Sequence, residues 1–206
     1  MKLSLISSVS AFRLTENRVS RSLEASGERT YSQLVDIMKF YNQDFNEVKF
    51  FMYGCHCNFH GQPMIAKGHG HPVDSLDIAC KAYNDCQNCA RNHYGDDCVS
   101  ERQPYSYSVL PIDGEQVCMD SKDTCKRSLC ECDLAFAKAS AQAKSVWDHK
   151  YHVLWSGRPQ DCPVSSSPVD MKCCRDADKS SAFLWYNANN KQCCANGEVK
   201  KIGELC

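Results

Sequence analysis

The spacing of hydrophobic residues predicts a mainly helical chain. Apolar side chains recur every three or four positions over residues 31–41, which is the period of an amphipathic helix. A second helix is predicted to begin at Asp74, whose carboxylate is suited to cap the first backbone N–H groups, and to continue toward Arg91. The stretch 54–72 between them is rich in glycine, proline and histidine and is therefore predicted to be a loop.

A short hairpin and a third helix follow. Aromatic and β-branched side chains in residues 105–119 flank a turn that contains Asp113 and Gly114, which is typical of a hairpin. The third helix is predicted to begin at Asp123 or Thr124 and to reach Trp147, and its alanines suit close packing against a neighbouring helix. These elements indicate a mainly α fold.

The cysteine content indicates the compartment. The chain has 206 residues and 16 cysteines. This even number permits complete pairing, and such a density is typical of a disulfide-rich protein in an oxidising environment. Zinc binding in a reducing compartment is the alternative, but the cysteines are spread along the chain instead of forming two C-x-x-C pairs. The net charge of −1 gives no sign of nucleic-acid binding, and no apolar run is long enough to predict a transmembrane segment.

Changes in composition divide the chain into three predicted segments. Residues 1–29 begin with a short, serine-diluted apolar stretch, which indicates a weak secretion signal or pro-segment, or alternatively a disordered arm. Residues 30–162 contain the predicted helices. Residues 163–206 begin with a Pro- and Ser-rich linker and form a small cysteine-rich module, which is too short for its own hydrophobic core and needs disulfides to fold.

Several separated motifs resemble the secreted phospholipase A2 family. The sequence YGCHC at residues 53–57 is similar to the start of that family's calcium loop. PVDSLD at residues 72–77 resembles the entry to its first long helix, and CECD at residues 130–133 resembles a motif of its second. The resemblance implies a disulfide-linked fold with an N-terminal helix, two long antiparallel helices and a small β-wing.

The resemblance also implies a set of disulfides. By the family's pattern the pairs are Cys57 with Cys80, Cys86 with Cys132, Cys98 with Cys125, Cys118 with Cys130, and Cys55 with Cys162. One further family bridge is missing at both ends, since Ala79 and Ala139 occupy its two positions and are expected to face each other across the helix pair. Cys89 and the tail cysteines are left over, and their pairing stays open.

Tyr83 and Asn84 occupy the two positions that carry the family's chemistry. The family has there a His, which removes a proton from water, and an Asp, which binds calcium. A phenol has a pKa of about 10 and is a poor general base at neutral pH, so we expect no working catalytic residue. Asp133 is retained where the family has the carboxylate that orients the His, and we expect Tyr83 to donate a hydrogen bond to it.

The calcium loop also departs from the family. The segment 57–72 is longer than the family's glycine-rich turn, and an amide at position 84 offers calcium an oxygen without negative charge. Calcium binding is therefore expected to be weakened, with His56, Asn58 and Asn84 as the remaining candidate ligands. Zinc or copper binding by the loop histidines is a second possibility, with a solvated loop as its alternative. Those histidines are His56, His60, His69 and His71.

Three functions are consistent with this sequence. The first is a secreted protein of this family that has no hydrolase activity and binds phospholipid, fatty acid, or an extracellular matrix or mineral partner. The matrix option draws on otoconins, which are phospholipase-like, and on YN at 186–187 and CCANGEV at 193–199, which resemble repeats of galaxin, a biomineral matrix protein. The second is a calcium-dependent phospholipase A2 that hydrolyses the sn-2 ester with an atypical site. The third, a membrane-disrupting toxin, is disfavoured by the near-zero net charge.

Overall fold

The structure, a computed structural model, describes residues 31–50, 52–57, 68–100, 102–111, 114–156, 162–164 and 169–206. The predicted secretion signal and pro-segment, the inserted loop around Asn58 and His60, and most of the Pro- and Ser-rich linker lie outside the described residues. No helix in the described ranges combines the length and the hydropathy needed to cross a bilayer.

The described helices include the three that the sequence predicts and two short ones that it does not. They are α1 (Tyr31–Tyr41), α2 (Glu47–Phe50), α3 (Ser75–Tyr94), α4 (Cys125–Ala143) and α5 (Val153–Ser156), with 3₁₀ turns at Lys144–Val146 and His149–Tyr151. The Asp74 carboxylate caps α3 by accepting from the N–H groups of Leu76 and Asp77. The Thr124 hydroxyl caps α4 in the same way. Beyond Ala143 the chain continues as a 3₁₀ turn, so α4 ends before Trp147, its predicted C-terminal end.

The helices α3 and α4 are antiparallel and form the centre of the molecule. Residue numbers that rise along α3 are matched by numbers that fall along α4, since Tyr83 contacts Phe136, Gln87 contacts Asp133, and Tyr94 contacts Ser128. The buried face of α1, formed by Leu34, Ile37 and Met38, belongs to the same hydrophobic core. Ala79 is buried, and Ala139 packs against this core from a partly buried position.

Three antiparallel hairpins complete the fold. The β-wing pairs β1 (Tyr107–Val109) with β2 (Gln116–Cys118), so that Tyr107 lies opposite Cys118. In the tail, β3 (Met171–Cys174) pairs with β4 (Leu184–Asn187), and β5 (Lys191–Cys193) pairs with β6 (Val199–Lys201).

All cysteines are paired in disulfides. The structure contains the pairs that the family resemblance implies, which are Cys55–Cys162, Cys57–Cys80, Cys86–Cys132, Cys98–Cys125 and Cys118–Cys130. The pairing that the sequence left open is Cys89–Cys173, Cys174–Cys193 and Cys194–Cys206. Each bridge restricts the unfolded chain and contributes about 2–4 kcal/mol to stability.

The tail is fastened to the C-terminal end of α3. The Cys89–Cys173 bridge joins it covalently to that helix, and Phe183 is buried in the main hydrophobic core. The Arg175 guanidinium lies over the Phe183 ring and donates to the hydroxyls of Tyr94 on α3 and Ser128 on α4. The tail therefore shares its core with the helices.

Candidate functional site

A fully buried carboxylate, Asp133, is the centre of a polar network between the two long helices. The Tyr105 hydroxyl donates to one carboxylate oxygen at 2.5 Å, and Gln87 Nε2 donates to the other at 3.2 Å. The Ser100 hydroxyl donates to Gln87 Oε1 at 3.2 Å. Burial, with a smaller contribution from Asp133, raises the pKa of Tyr105 well above its usual value, so this phenol remains a donor at physiological pH.

The first helix holds Tyr105 in place. Gln33 Nε2 donates to the Tyr105 carbonyl at 2.6 Å, and the Tyr105 N–H donates back to Gln33 Oε1 at 3.3 Å. An amide side chain thus pairs with the backbone of the segment just before the β-wing. The position of the phenol over Asp133 therefore depends on α1 as well as on the segment that carries Tyr105 into the β-wing.

Tyr83 lies in the core, with only 4% of its surface exposed. Its ring stacks on Phe136 of α4, with centroids 4.7 Å apart and planes inclined by 25°. The expectation that Tyr83 donates to Asp133 is wrong, since the donors to that carboxylate are Tyr105 and Gln87. The aromatic face of Tyr83 instead gains contact area and an offset stacking interaction.

A second buried carboxylate, Asp77, organises the loop at residues 54–57. One of its oxygens accepts from the N–H groups of Cys55 and Val73, both at 2.9 Å, and the other accepts from the His56 N–H at 2.8 Å. Gly54 adopts a φ of +58°, and a Cβ there would lie 2.4 Å from the Asp77 carboxyl carbon. Glycine is therefore required for the loop to approach this carboxylate.

Asn84 contacts the same loop from the other side. Its Nδ2 donates to the backbone carbonyl of His56 at 2.8 Å, and the bond is buried. In the family, the loop carbonyls and the carboxylate at this position bind calcium together. Here the amide is neutral, and its N–H group already occupies the carbonyl, so these two residues do not fit a calcium ion. Asn58, the third candidate ligand, lies outside the described residues.

The buried histidines are engaged with the backbone. His56 Nε2 lies 3.1 Å from the Gly70 carbonyl, and burial lowers the pKa of its imidazole. His152 lies 2.7 Å through Nε2 from the Val48 carbonyl and accepts at Nδ1 from the Leu154 N–H. Among the residues that the structure describes, no three His, Cys, Asp or Glu side chains are grouped to hold a metal ion. His69 and His71 therefore form no described zinc or copper site, and His60 lies outside the described part.

Comparison with known proteins identifies the family. The sequence model of phospholipase A2 matches residues 31–152. The chain belongs to the phospholipase A2 family. Acidic phospholipase A2 AplTX-I from Agkistrodon piscivorus leucostoma is 35% identical over 116 residues, which cover 56% of this chain and 71% of that protein. Acidic phospholipase A2 BpirPLA2-I from Bothrops pirajai is 30% identical over 120 residues, covering 58% and 84%.

Sequence reasoning missed most of the partners in the phospholipase A2-like site. The role of Gln87 as a donor to Asp133 was not predicted. Tyr105 carried one available signal, because a buried carboxylate needs donors and this phenol lies close before the β-wing. Gln33 and Ser100 carried none, since nothing in the local pattern distinguishes them from exposed polar residues.

Proposed function

We propose that this phospholipase A2-family chain does not hydrolyse phospholipids and acts outside the cell by binding. The best support for the proposal comes from residue 83 on α3, the position where the family has its general base. Tyr83 fills that position with a buried ring stacked on Phe136. Asp133 then has no imidazole to orient, and its hydrogen bonds are made with Tyr105 and Gln87.

Neither buried histidine is a ready substitute for the general base. His56 points toward the loop backbone at Gly70, and a Cβ on Gly68 would lie 2.2 Å from its other ring nitrogen. His152 uses both ring nitrogens for backbone contacts. A base must reach the proton that it removes, and these imidazoles face protein backbone instead of a space for water and substrate.

A surface that fits a lipid partner is formed by side chains of α2 and α5 and by Trp147. We call it the tryptophan patch and define it by Val48, Lys49, Trp147, Leu154 and Trp155. The exposed fractions of Val48, Leu154 and Trp155 are 52%, 65% and 51%. The two indole rings are 5.6 Å apart, and Lys49 Nζ lies 5.3 Å from the centroid of the Trp147 ring. Tryptophan, aliphatic and lysine side chains together suit the boundary between lipid headgroups and acyl chains.

The fully paired cysteines support an extracellular location, because such a set of disulfides persists in oxidising compartments. A matrix or mineral partner is supported by the resemblance to otoconins and by the galaxin-like repeat pattern of the tail. The second candidate function, calcium-dependent hydrolysis by an atypical site, is supported by the family itself and by the retained Asp133.

A hydrolysis assay decides between these functions. The purified chain is incubated with phospholipid vesicles in calcium and in EDTA, with an active acidic phospholipase A2 as positive control. We expect no release of fatty acid in either buffer. The variant Tyr83→His/Asn84→Asp is expected to gain slow calcium-dependent release, whereas each single variant stays inactive. Calcium-dependent turnover by the unmodified chain would establish the second function instead.

Vesicle sedimentation tests the binding part of the proposal. We expect the chain to sediment with vesicles that contain anionic lipid, and the variant Leu154→Ser/Trp155→Ser to lose most of this binding. Ile202→Ser removes an equally exposed apolar side chain from the tail and is the matched control. If the chain stays in the supernatant when vesicles of every composition sediment, the lipid partner is excluded.

A further inference from the structure

The loop that would hold calcium in this family is fastened here by hydrogen bonds from three side chains. Asp77 accepts from the N–H groups of Cys55 and His56, and Asn84 donates to the His56 carbonyl at 2.8 Å. The His56 ring extends the fastening to Gly70 at 3.1 Å. Both backbone polar groups of His56 are therefore satisfied from α3.

The orientation of the Asn84 amide follows from its neighbour. The group facing it is a carbonyl oxygen, which can only accept a hydrogen bond. If the amide were rotated by 180°, its oxygen would face the His56 carbonyl oxygen at the same distance and repel it. Asn84 is 5% exposed, so water has little access to compensate for that repulsion. Nδ2 must therefore face the carbonyl.

We propose that the Asn84 amide replaces a calcium ion as the partner of the His56 carbonyl, so that the loop at residues 54–57 is held in place without metal. A calcium ion attracts carbonyl oxygens by its positive charge, and the partly positive N–H of Asn84 does so within the chain. This inference concerns how the loop is held and does not depend on whether the chain hydrolyses lipid.

The nearby carboxylates cannot restore a metal site at this position. Both oxygens of Asp77 accept from backbone N–H groups. Asp85, the residue after Asn84, pairs with Lys81 at 2.5 Å on the same helix. A calcium ion needs several oxygen ligands with negative charge among them, and these two carboxylates are already committed to N–H and ammonium groups.

Thermal unfolding of the full chain in EDTA and in millimolar calcium chloride tests the proposal. We expect the same Tm for the unmodified chain in both buffers. Asn84→Leu removes the donor and is expected to lower the Tm by roughly 5 °C in both buffers. Asn84→Asp places a carboxylate against the His56 carbonyl, so its Tm is expected to fall in EDTA and to rise again when calcium is added.

Asn88→Asp is the matched control, because it adds the same charge to α3 one turn further on. Its Tm is expected to be the same in the two buffers. A calcium-dependent rise in the Tm of the unmodified chain would overturn the proposal, and so would an Asn84→Leu variant as stable as the unmodified chain. If Asn84→Asp responds to calcium no more than Asn88→Asp does, the amide does not occupy a calcium position.

Discussion

At the scale of single residues, the buried polar groups of the site are hydrogen-bonded although the family's imidazole and calcium-binding carboxylate are absent. Asp133 retains two donors although the family's imidazole is absent, and the His56 carbonyl retains a partner although the calcium-binding carboxylate is absent. Tyr83 is buried in the core at the position where the family has its base. Buried polar groups are costly when left unsatisfied, so these hydrogen bonds are expected to contribute to stability.

The Asp133 network is expected to contribute strongly to stability. Asp133→Asn replaces a double acceptor by a group with one acceptor, so either Tyr105 or Gln87 must face an N–H₂ group. We expect the free energy of unfolding to fall by about 3 kcal/mol, and by about half as much in Tyr105→Phe. Denaturant unfolding measures both, with the exposed Asp178→Asn as control. An unchanged or higher stability of Asp133→Asn would show that burying this charge costs more than its hydrogen bonds return.

His56 is expected to make stability depend on pH. Burial lowers the pKa of its imidazole, and this effect outweighs the opposing influence of Asp77 and the Gly70 carbonyl. Because the unfolded chain then binds a proton more readily than the folded one, stability is fully present above about pH 6.5 and falls as the pH drops toward the lowered value. Denaturation midpoints between pH 7.5 and 5 should show this loss in the unmodified chain and in the control His149→Gln, but less in His56→Gln.

At the scale of elements, the helices were predictable and their long-range partners were not. The start of α3 at Asp74 followed from a local capping preference, and the five family disulfides followed from the resemblance. Hydrogen bonds such as Gln33 with Tyr105 and Arg175 with Tyr94 join residues 72 and 81 positions apart. Hydrophobic periodicity reports only on near neighbours, so neither contact leaves a trace in it.

The contact between the tail and the helix pair is expected to depend on Arg175. Its guanidinium donates to the Tyr94 and Ser128 hydroxyls and, within the tail, to the carbonyls of Lys179 and Ser181. Arg175→Gln should lower the free energy of unfolding by about 2 kcal/mol and speed amide hydrogen exchange in β3 and β4. Lys172→Gln removes an exposed charge from β3, the strand that ends just before Arg175, and should change stability by less than about 0.5 kcal/mol. Equal exchange rates in the two variants would contradict this role.

For the whole molecule, the disulfides suggest a core that folds without its tail. Five bridges close within residues 55–162, two close within the tail, and only Cys89–Cys173 joins the two parts. The family match ends at residue 152, before the tail begins. A chain ending at residue 164 that carries Cys89→Ser is therefore expected to form the same five bridges and a native helical circular dichroism spectrum. Its Tm should be lower, because Phe183 and Arg175 no longer cover the end of α3. Scrambled bridges in this chain would show that the tail is needed to form the core.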